Sequence, residues 1–411
     1  MKKSFLSGLG INIILLGIAS FITDVSSEMI QPILPLFILG LGGAGLAIGL
    51  IGGLGDSIAG VLKIISGYMS DRTGRRKPFV VAGYGSSSVS KLFFPASTAW
   101  AHMLALRPIE RIGKGLRTAP RDAIIADSAA QEIRGKAFGL HRTLDSAGAI
   151  LGSSFALVLY WLLEWDFPSI LLVAAVIAFA ALVPLFFVKE VRRDPRPTTF
   201  SISLRALPSH LRFFILVATL FALGNFTYMF FILKGWDALP SETADIVIIL
   251  LYIWFNIVYT AFSTPSGVLS DKIGRKSVLF LGYVLFGVTC VAIILPSSLE
   301  LLIIVFTLYG LVNALIEGTQ RALASDLVGS ELRGTALGTF HTAVSLATLP
   351  AGIFAGILWE YVDPVATFVY GAFLALISVV LLAFVRDPKT ESSRRKETEE
   401  QNNVQLPSTF S

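Results

Sequence analysis

Seven ionisable side chains crowd one short stretch of an otherwise apolar chain: Arg107, Glu110, Arg111, Lys114, Arg117, Arg121 and Asp122. At about 100° per residue they fall within an arc of about 140°, with Ile109, Ile112 and Leu116 pointing the other way. Lipid cannot face such an arc, because a charge in hydrocarbon is costly and marks a functional position by default. The arc must line a wet cavity or pair with acids on neighbouring helices. Acids are at hand. Asp24 and Glu28 stand four residues apart on one helical face, Asp56 and Lys63 seven apart on another, and Lys91, His141, Arg142 and Asp145 follow. Among the groups named here the acids number six and the bases eight, a surplus of two positive charges with His141 neutral.

Three uses of this network are open. Arg107, Arg111, Lys114 and Arg117 can bind an anionic or zwitterionic solute, since guanidinium groups make bidentate contacts to carboxylate or phosphate. Alternatively the bases neutralise Asp24, Glu28, Asp56 and Asp145, and one carboxylate exchanges protons as its surroundings alternate between buried and exposed. Or the network is a permanently satisfied set of ion pairs that fixes helix register. Arg121, Asp122 and Arg142 lie near helix ends, where a gating role suits them better than substrate contact. Asp24, Glu28 and His141 are the best metal-ligand set, but their spacing is no metal motif and the positive surplus opposes a cation. No metal and no cofactor is expected, and no Walker-type nucleotide loop is present.

The elements that position these residues are membrane helices. The chain is 54% hydrophobic and 15% charged, with a mean hydropathy of +0.73, whereas soluble domains carry roughly 25% charge. Runs such as 170–188, 278–295 and 367–385 are each long enough to cross a hydrocarbon core of roughly 30 Å. Spans are expected near residues 9–39, 44–70, 78–97, 99–128, 134–163, 168–188, 211–235, 243–270, 277–296, 298–326, 333–360 and 364–385. Pro32, Pro35, Pro108 and Pro120 interrupt the first and fourth, a pattern tolerated where a helix lines a cavity. Met1-Lys2-Lys3 and the apolar run behind it are read as a retained first helix, since Asp24 and Glu28 interrupt the run and no cleavage site is evident.

Basic residues collect at 72–77, in the middle linker and at Lys272, Arg275 and Lys276, while Glu164, Asp166, Asp237, Glu242, Glu300, Glu360 and Asp363 occupy the alternate loops. The positive-inside rule puts both termini and the linker in the cytoplasm. It also explains the net charge of +5 better than a nucleic-acid partner would. The single cysteine, Cys290, lies in an apolar run and excludes an internal disulfide framework. The expected organisation is all-α: a six-helix bundle over 1–188, a cytoplasmic linker over 189–210, a second bundle over 211–385 and a disordered tail over 386–411.

The chain also repeats. Gly67-Tyr-Met-Ser-Asp71-Arg-Thr-Gly74-Arg75-Arg76 recurs as Gly267-Val-Leu-Ser-Asp271-Lys-Ile-Gly274-Arg275-Lys276. Asp127 matches Asp326, and Arg134-Gly135-Lys-Ala-Phe-Gly139 matches Arg333-Gly334-Thr-Ala-Leu-Gly338. Repeat-built transporters bind substrate between their halves near the bilayer midplane. The doubled loop, G-x-x-x-D-[RK]-x-G-R-[RK] after the second helix of each half, resembles the signature of the major facilitator superfamily over roughly residues 9–385. The runs from Gly113 to Asp122 and from Arg134 to Arg142 look like a prokaryotic branch of unassigned substrate.

The resemblance implies twelve helices in two pseudo-symmetric bundles and a secondary transporter of the inner membrane that is not an enzyme. It further implies a small organic solute, with an anion as one candidate, protons as coupling partner, and a monomer working by alternating access. It gives the loop residues a latch role on the cytoplasmic side. Gly67 and Gly267 allow close helix packing. Gly74 and Gly274 allow a turn with positive φ. Asp71 and Asp271 can face a helix start in the opposite half. Arg75 and Arg275 can pair with Asp127 and Asp326. Arg72, Arg76 and Lys77 are read as topology determinants. The C-terminal half is poorer in charge, with Glu317, Gln320, Arg321 and His341. Its aromatics Phe226, Tyr228, Phe230, Phe231, Trp254 and Phe255 are expected to shape the apolar side of the cavity. Two other functions compete: export of drug-like amphiphiles, which the aromatics suit and the charged fourth helix does not, and a non-transporting sensor or membrane enzyme, for which no nucleophile–base constellation is found.

Overall fold

The computed structural model describes residues 10–190, 207–295, 298–328 and 332–385. Most of the linker and all of the tail expected from the sequence lie outside the described residues.

Proline and glycine decide where the crossings break and turn. The first crossing is two pieces, α1 (Ile11–Ile30) and α2 (Leu34–Gly40). Pro32 lacks the N–H that a continuous helix needs, and Pro35 suits the first turn of α2. The next crossings are α3 (Gly45–Thr73), α4 (Lys77–Leu92), α5 (Trp100–Asp127) and α6 (Arg134–Trp161). The sixth pairs α7 (Phe167–Ala180) with the short α8 (Leu182–Phe187). The second half repeats the plan. Its first crossing is again broken, α9 (Ser209–Gly224) and α10 (Met229–Asp237), and α11 (Ala244–Ile273), α12 (Arg275–Ala292), α13 (Leu299–Asp326), α14 (Arg333–Tyr361) and α15 (Pro364–Ala383) follow.

Among the described residues, ten helical segments are long and apolar enough to cross a bilayer unaided. The remaining two crossings are α4, which is short, and α5, which carries the charged arc but runs unbroken through Pro108 and Pro120. Large apolar side chains such as Phe186, Phe187, Phe373 and Leu376 are exposed around the perimeter, as lipid contact requires.

The repeat extends to the caps. Gly74 and Gly274 end α3 and α11 with φ of 65° and 96°. Asp166 accepts from the Ser169 N–H at the start of α7, and Asp363 accepts from the Val365 N–H at the start of α15. Lys77 Nζ donates to the carbonyls of Phe186 and Val188, and Lys276 Nζ to those of Ala383 and Val385. Lys77 is thus a helix C-cap, which its reading as a topology determinant missed. Glu190 accepts from the N–H groups of Arg76 and Lys77 and caps α4.

The face that carries the linker flanks Glu190 and Leu207 is called the linker face, the opposite one the distal face. The halves touch tightly on the distal side. A methyl group on Gly49 of α3 would lie 2.0 Å from the Gly352 carbonyl oxygen of α14, and one on Gly53 would lie 2.6 Å from that of Thr348. Trp359 covers Gly45. Toward the linker face the contact fades: a methyl on Gly338 would reach only Ile64, at 4.0 Å, and one on Gly135, Gly139, Gly267 or Gly334 would meet nothing. The molecule is closed on the distal face and open on the linker face.

Candidate transport site

The charged arc of α5 divides into two groups. Arg107, Glu110 and Arg111 are buried. Arg107 Nη1 sits 3.0 Å from Glu110 Oε2, and Arg111 Nε 3.6 Å from the same oxygen. Arg111 Nη2 reaches Asp56 Oδ1 at 3.8 Å. The second Arg107 nitrogen donates to Gln31 Oε1 at 2.9 Å, which also accepts from the Tyr228 hydroxyl. Gln31 stands at the break between α1 and α2, and Tyr228 at the break between α9 and α10. The two broken helices therefore meet through side chains at the end of the ion-pair chain. Burying these charges is tolerable only because each has a partner.

The second group lies nearer the linker face. Lys114, Arg117, Arg121 and Asp122 line a cavity of about 390 Å³ between the halves, with Asp24 and Glu28 from α1, Lys63 from α3, Asp145 from α6 and Asn256 and Tyr259 from α11. His141 is buried behind Asp145, its Nδ1 3.3 Å from the Asp145 carboxylate. Arg121 is tied to Asp122 and to Ser20. Glu28 accepts from the Tyr252 hydroxyl of the opposite half at 2.8 Å. Arg142 from α6 pairs with Glu317 from α13 at 3.9 Å, and the Tyr259 hydroxyl and Arg321 join the same carboxylate.

Other donors are left over. Arg117 stacks on the Tyr84 ring, 4.6 Å to its centroid, and its Nη1 has no hydrogen-bond partner; nor has Asn256 Nδ2. Lys63 and Lys114 make no ion pair among the described residues. No group of three or more His, Cys, Asp or Glu is arranged to hold a metal ion among those residues.

Comparison with known proteins decides the family. The Major Facilitator Superfamily profile matches residues 16–237 and 238–409. The chain belongs to this superfamily. It is a multi-pass membrane transporter rather than an enzyme. An uncharacterized MFS-type transporter of Methanocaldococcus jannaschii is 47% identical over 381 residues, covering 91% of this chain and 94% of the relative. Multidrug resistance protein MdtH of Photorhabdus laumondii is 26% identical over 317 residues, 75% of this chain and 77% of the relative. The crystal structure of the nucleoside transporter NupG superposes with a TM-score of 0.73 at 17% identity, covering 90% of this chain and 97% of the other, a likeness of fold.

The superfamily's signature loop sits at the open linker face and corrects one sequence reading. Arg76, not Arg75, pairs with Asp127, and it also holds Asp71 at 3.1 Å. In the second half Arg275 itself pairs with Asp326 at 2.6 Å and with Asp271 at 3.1 Å. The reason is loop length: α12 starts directly after Gly274, whereas Arg75 and Arg76 separate Gly74 from α4, so the second arginine occupies the equivalent place. Arg72 and Arg75 are exposed. Asp71 is thus held within its own half rather than by a helix start of the other. Gly67 packs against Ala119 of its own half, at 3.2 Å for an added methyl.

Several site residues escaped the sequence. Gln31, Thr227, Tyr252 and Tyr309 line a second chamber of about 290 Å³ with Asp56, Asn225, Tyr228 and Phe255. The prolines beside Gln31 were the available signal. Tyr252 and Tyr259 gave none, since a tyrosine in an apolar helix looks like packing. Of the aromatics expected at the cavity, Phe226, Tyr228 and Phe255 line it. Phe230 and Phe231 are buried in the second half's own core, and Trp254 is exposed and bonds to Thr307.

Proposed function

We propose that this transporter moves a small organic anion across the inner membrane by alternating access, coupled to protons. The observation that carries the reading is the surplus of donors in the cavity. Arg117 and Asn256, on opposite halves, are almost wholly buried with a donor unused, and Lys63 and Lys114 line the same space unpaired. A buried donor without an acceptor costs about 1–3 kcal/mol, so a ligand rich in acceptors relieves Arg117 and Asn256, and its negative charge suits the two more exposed lysines; contact with both residues joins the halves.

Proton coupling is assigned to Glu28. Its carboxylate bonds to Tyr252 of the opposite half, so rocking of the halves makes and breaks that contact. Asp24, one turn away on the same cavity wall, is the second carboxylate of the path. Arg107, Glu110, Arg111 and Asp56 hold the helices in register beneath the site. The Arg76–Asp127 and Arg275–Asp326 pairs brace the ends that close when the linker face shuts. The basic residues of that face support a cytoplasmic location for it and for both termini. The bundles are assigned to 1–188 and 211–385, and one chain encloses the whole cavity, which supports a monomer.

The test is uptake into reconstituted vesicles under an imposed pH gradient, with a panel of organic anions and cations. The expected result is gradient-driven anion accumulation that Arg117→Gln abolishes. Glu28→Gln should retain anion exchange but lose the gradient dependence. A competing reading, drug efflux, draws on the multidrug name of the Photorhabdus relative. Uptake of lipophilic cations that survives Arg117→Gln would establish it instead.

A further inference from the structure

We infer that the anion carries a flat aromatic ring, bound against a ladder of aromatic side chains on α11. The inference rests on the anion reading above and names the class of substrate. Three neighbouring spaces lie between the halves: the two chambers already described and a vestibule of about 470 Å³ that shares Tyr259 with the first and Asn313 with the second and reaches Asp271 and Arg275 at the linker face. Among the described residues no Leu, Ile, Val or Met lines any of them. In a chain that is 54% hydrophobic this is a marked exclusion. The large apolar side chains that line them are rings alone: Phe226, Tyr228, Tyr252, Phe255, Tyr259 and Tyr309, of which Tyr228, Phe255 and Tyr259 are the less buried.

Three of these rings form a ladder. Tyr252, Phe255 and Tyr259 occupy positions i, i+3 and i+7 of α11, which bring side chains to one face. Phe255 lies 5.7 Å from Tyr252 and 6.3 Å from Tyr259, centroid to centroid, and is within 7° of parallel to the latter. Tyr309 backs Phe255 at 5.2 Å. The tyrosine hydroxyls are already engaged, Tyr252 with Glu28, Tyr259 with Glu317 and Tyr228 with Gln31. What the wall presents is therefore ring rather than hydroxyl, with the Arg142 guanidinium over one face of Tyr259, 5.5 Å from its centroid. The ladder runs from the chamber at the helix breaks into the main cavity, where Lys63, Lys114 and Arg117 supply the cationic wall. A planar ring laid on Phe255 and Tyr259 with its carboxylate toward Lys114 and Arg117 satisfies both walls. Ring stacking of this kind is worth about a two- to tenfold gain in affinity beyond area burial.

The experiment measures binding to the full-length protein in lipid nanodiscs by calorimetry, with three probes. These are 2-naphthoate, its fully saturated counterpart decahydro-2-naphthoate, and 2-naphthylmethylamine. The expected result is naphthoate tighter than the saturated anion by about threefold or more, with the amine weakest. Phe255→Leu, checked for an unchanged unfolding midpoint, should erase that preference, while Lys114→Gln weakens both anions alike. Equal affinity of the two anions, a tighter saturated anion, or a preference untouched by Phe255→Leu overturns the aromatic assignment and leaves the anion reading standing. An amine that binds more tightly than both anions overturns the two together.

Discussion

Closure of the distal face depends on two glycines with no room to spare. A methyl on Gly49 would lie 2.0 Å from the Gly352 carbonyl oxygen, and one on Gly352 2.1 Å from that of Gly49. Ordinary van der Waals contact starts near 3.4 Å, so Gly49→Ala is short by about 1.4 Å. The obstacle is backbone, and no side chain can rotate away. The helices must separate, and overpacking of this kind costs typically about 1–3 kcal/mol. The cost falls on the state described here and not on one in which the distal face is open. The equilibrium between the two should therefore move toward distal opening by about 5- to 150-fold. Spin labels at Leu163→Cys and Tyr361→Cys, both exposed on the distal face in opposite halves, report the change as a longer distance. Cys290 is buried and takes no label. Transport should fall with it, because alternating access needs both states. Gly85→Ala, which meets open space, is the control. A Gly49→Ala protein with an unchanged distance distribution and full transport would refute the reasoning.

Three further outcomes are expected. Arg76→Gln should destabilise the detergent-solubilised protein by about 1–3 kcal/mol, because it breaks the pairs to both Asp71 and Asp127, while Arg75→Gln stays within about 0.5 kcal/mol; thermal scanning of the two variants reverses the order if the sequence reading of the loop was right after all. Lys77→Met removes the donor to two terminal carbonyls and should cost about 1 kcal/mol by the same measurement. Asp166→Ala should cost about 1 kcal/mol through the lost cap of α7. Hydrogen bonds from the Ser169 hydroxyl and N–H hold the Asp166 carboxyl below its ordinary value. Its contribution is therefore present above the unfolded-state pKa and lost as pH falls through the lowered folded one. The stability gap between wild type and Asp166→Ala should shrink in acid, and a gap that widened would reverse the assignment.

Much of the fold was legible because its signals are local. Ten of the twelve crossings follow from apolar length, and the doubling follows from Gly74 and Gly274, where positive φ restricts the residue. The arc on α5 was legible because a helix converts spacing into direction. Its division into a buried ion-pair chain and a set nearer the linker face was not. That depends on Gln31, Asp56 and Tyr228 arriving from other helices, and nothing in the spacing of α5 distinguishes Arg107 from Lys114. The exchange of Arg75 for Arg76 was hidden for a related reason. Aligned repeats count residues, whereas ion pairs depend on where the next helix starts. The aromatics failed differently: Trp254 and Phe255 are neighbours in sequence with the same hydrophobic character, and only helix rotation sends one outward and the other to the cavity.

The polarity of α5 also bears on how the chain is made. Translocon insertion charges about 2.5–3.5 kcal/mol for each Arg, Lys or Asp at a helix centre, and α5 carries seven ionisable groups between Arg107 and Asp122 alone. It cannot partition into lipid as an independent segment while still on the ribosome. Asp56 on α3 emerges before it and can travel with it as a neutralising companion. Tyr228, which completes the hydrogen bonding of Gln31, is translated about a hundred residues later than Asp127, the last residue of α5. The first bundle thus leaves biosynthesis with an unfinished polar seam, and the nascent second bundle acts as its finishing partner.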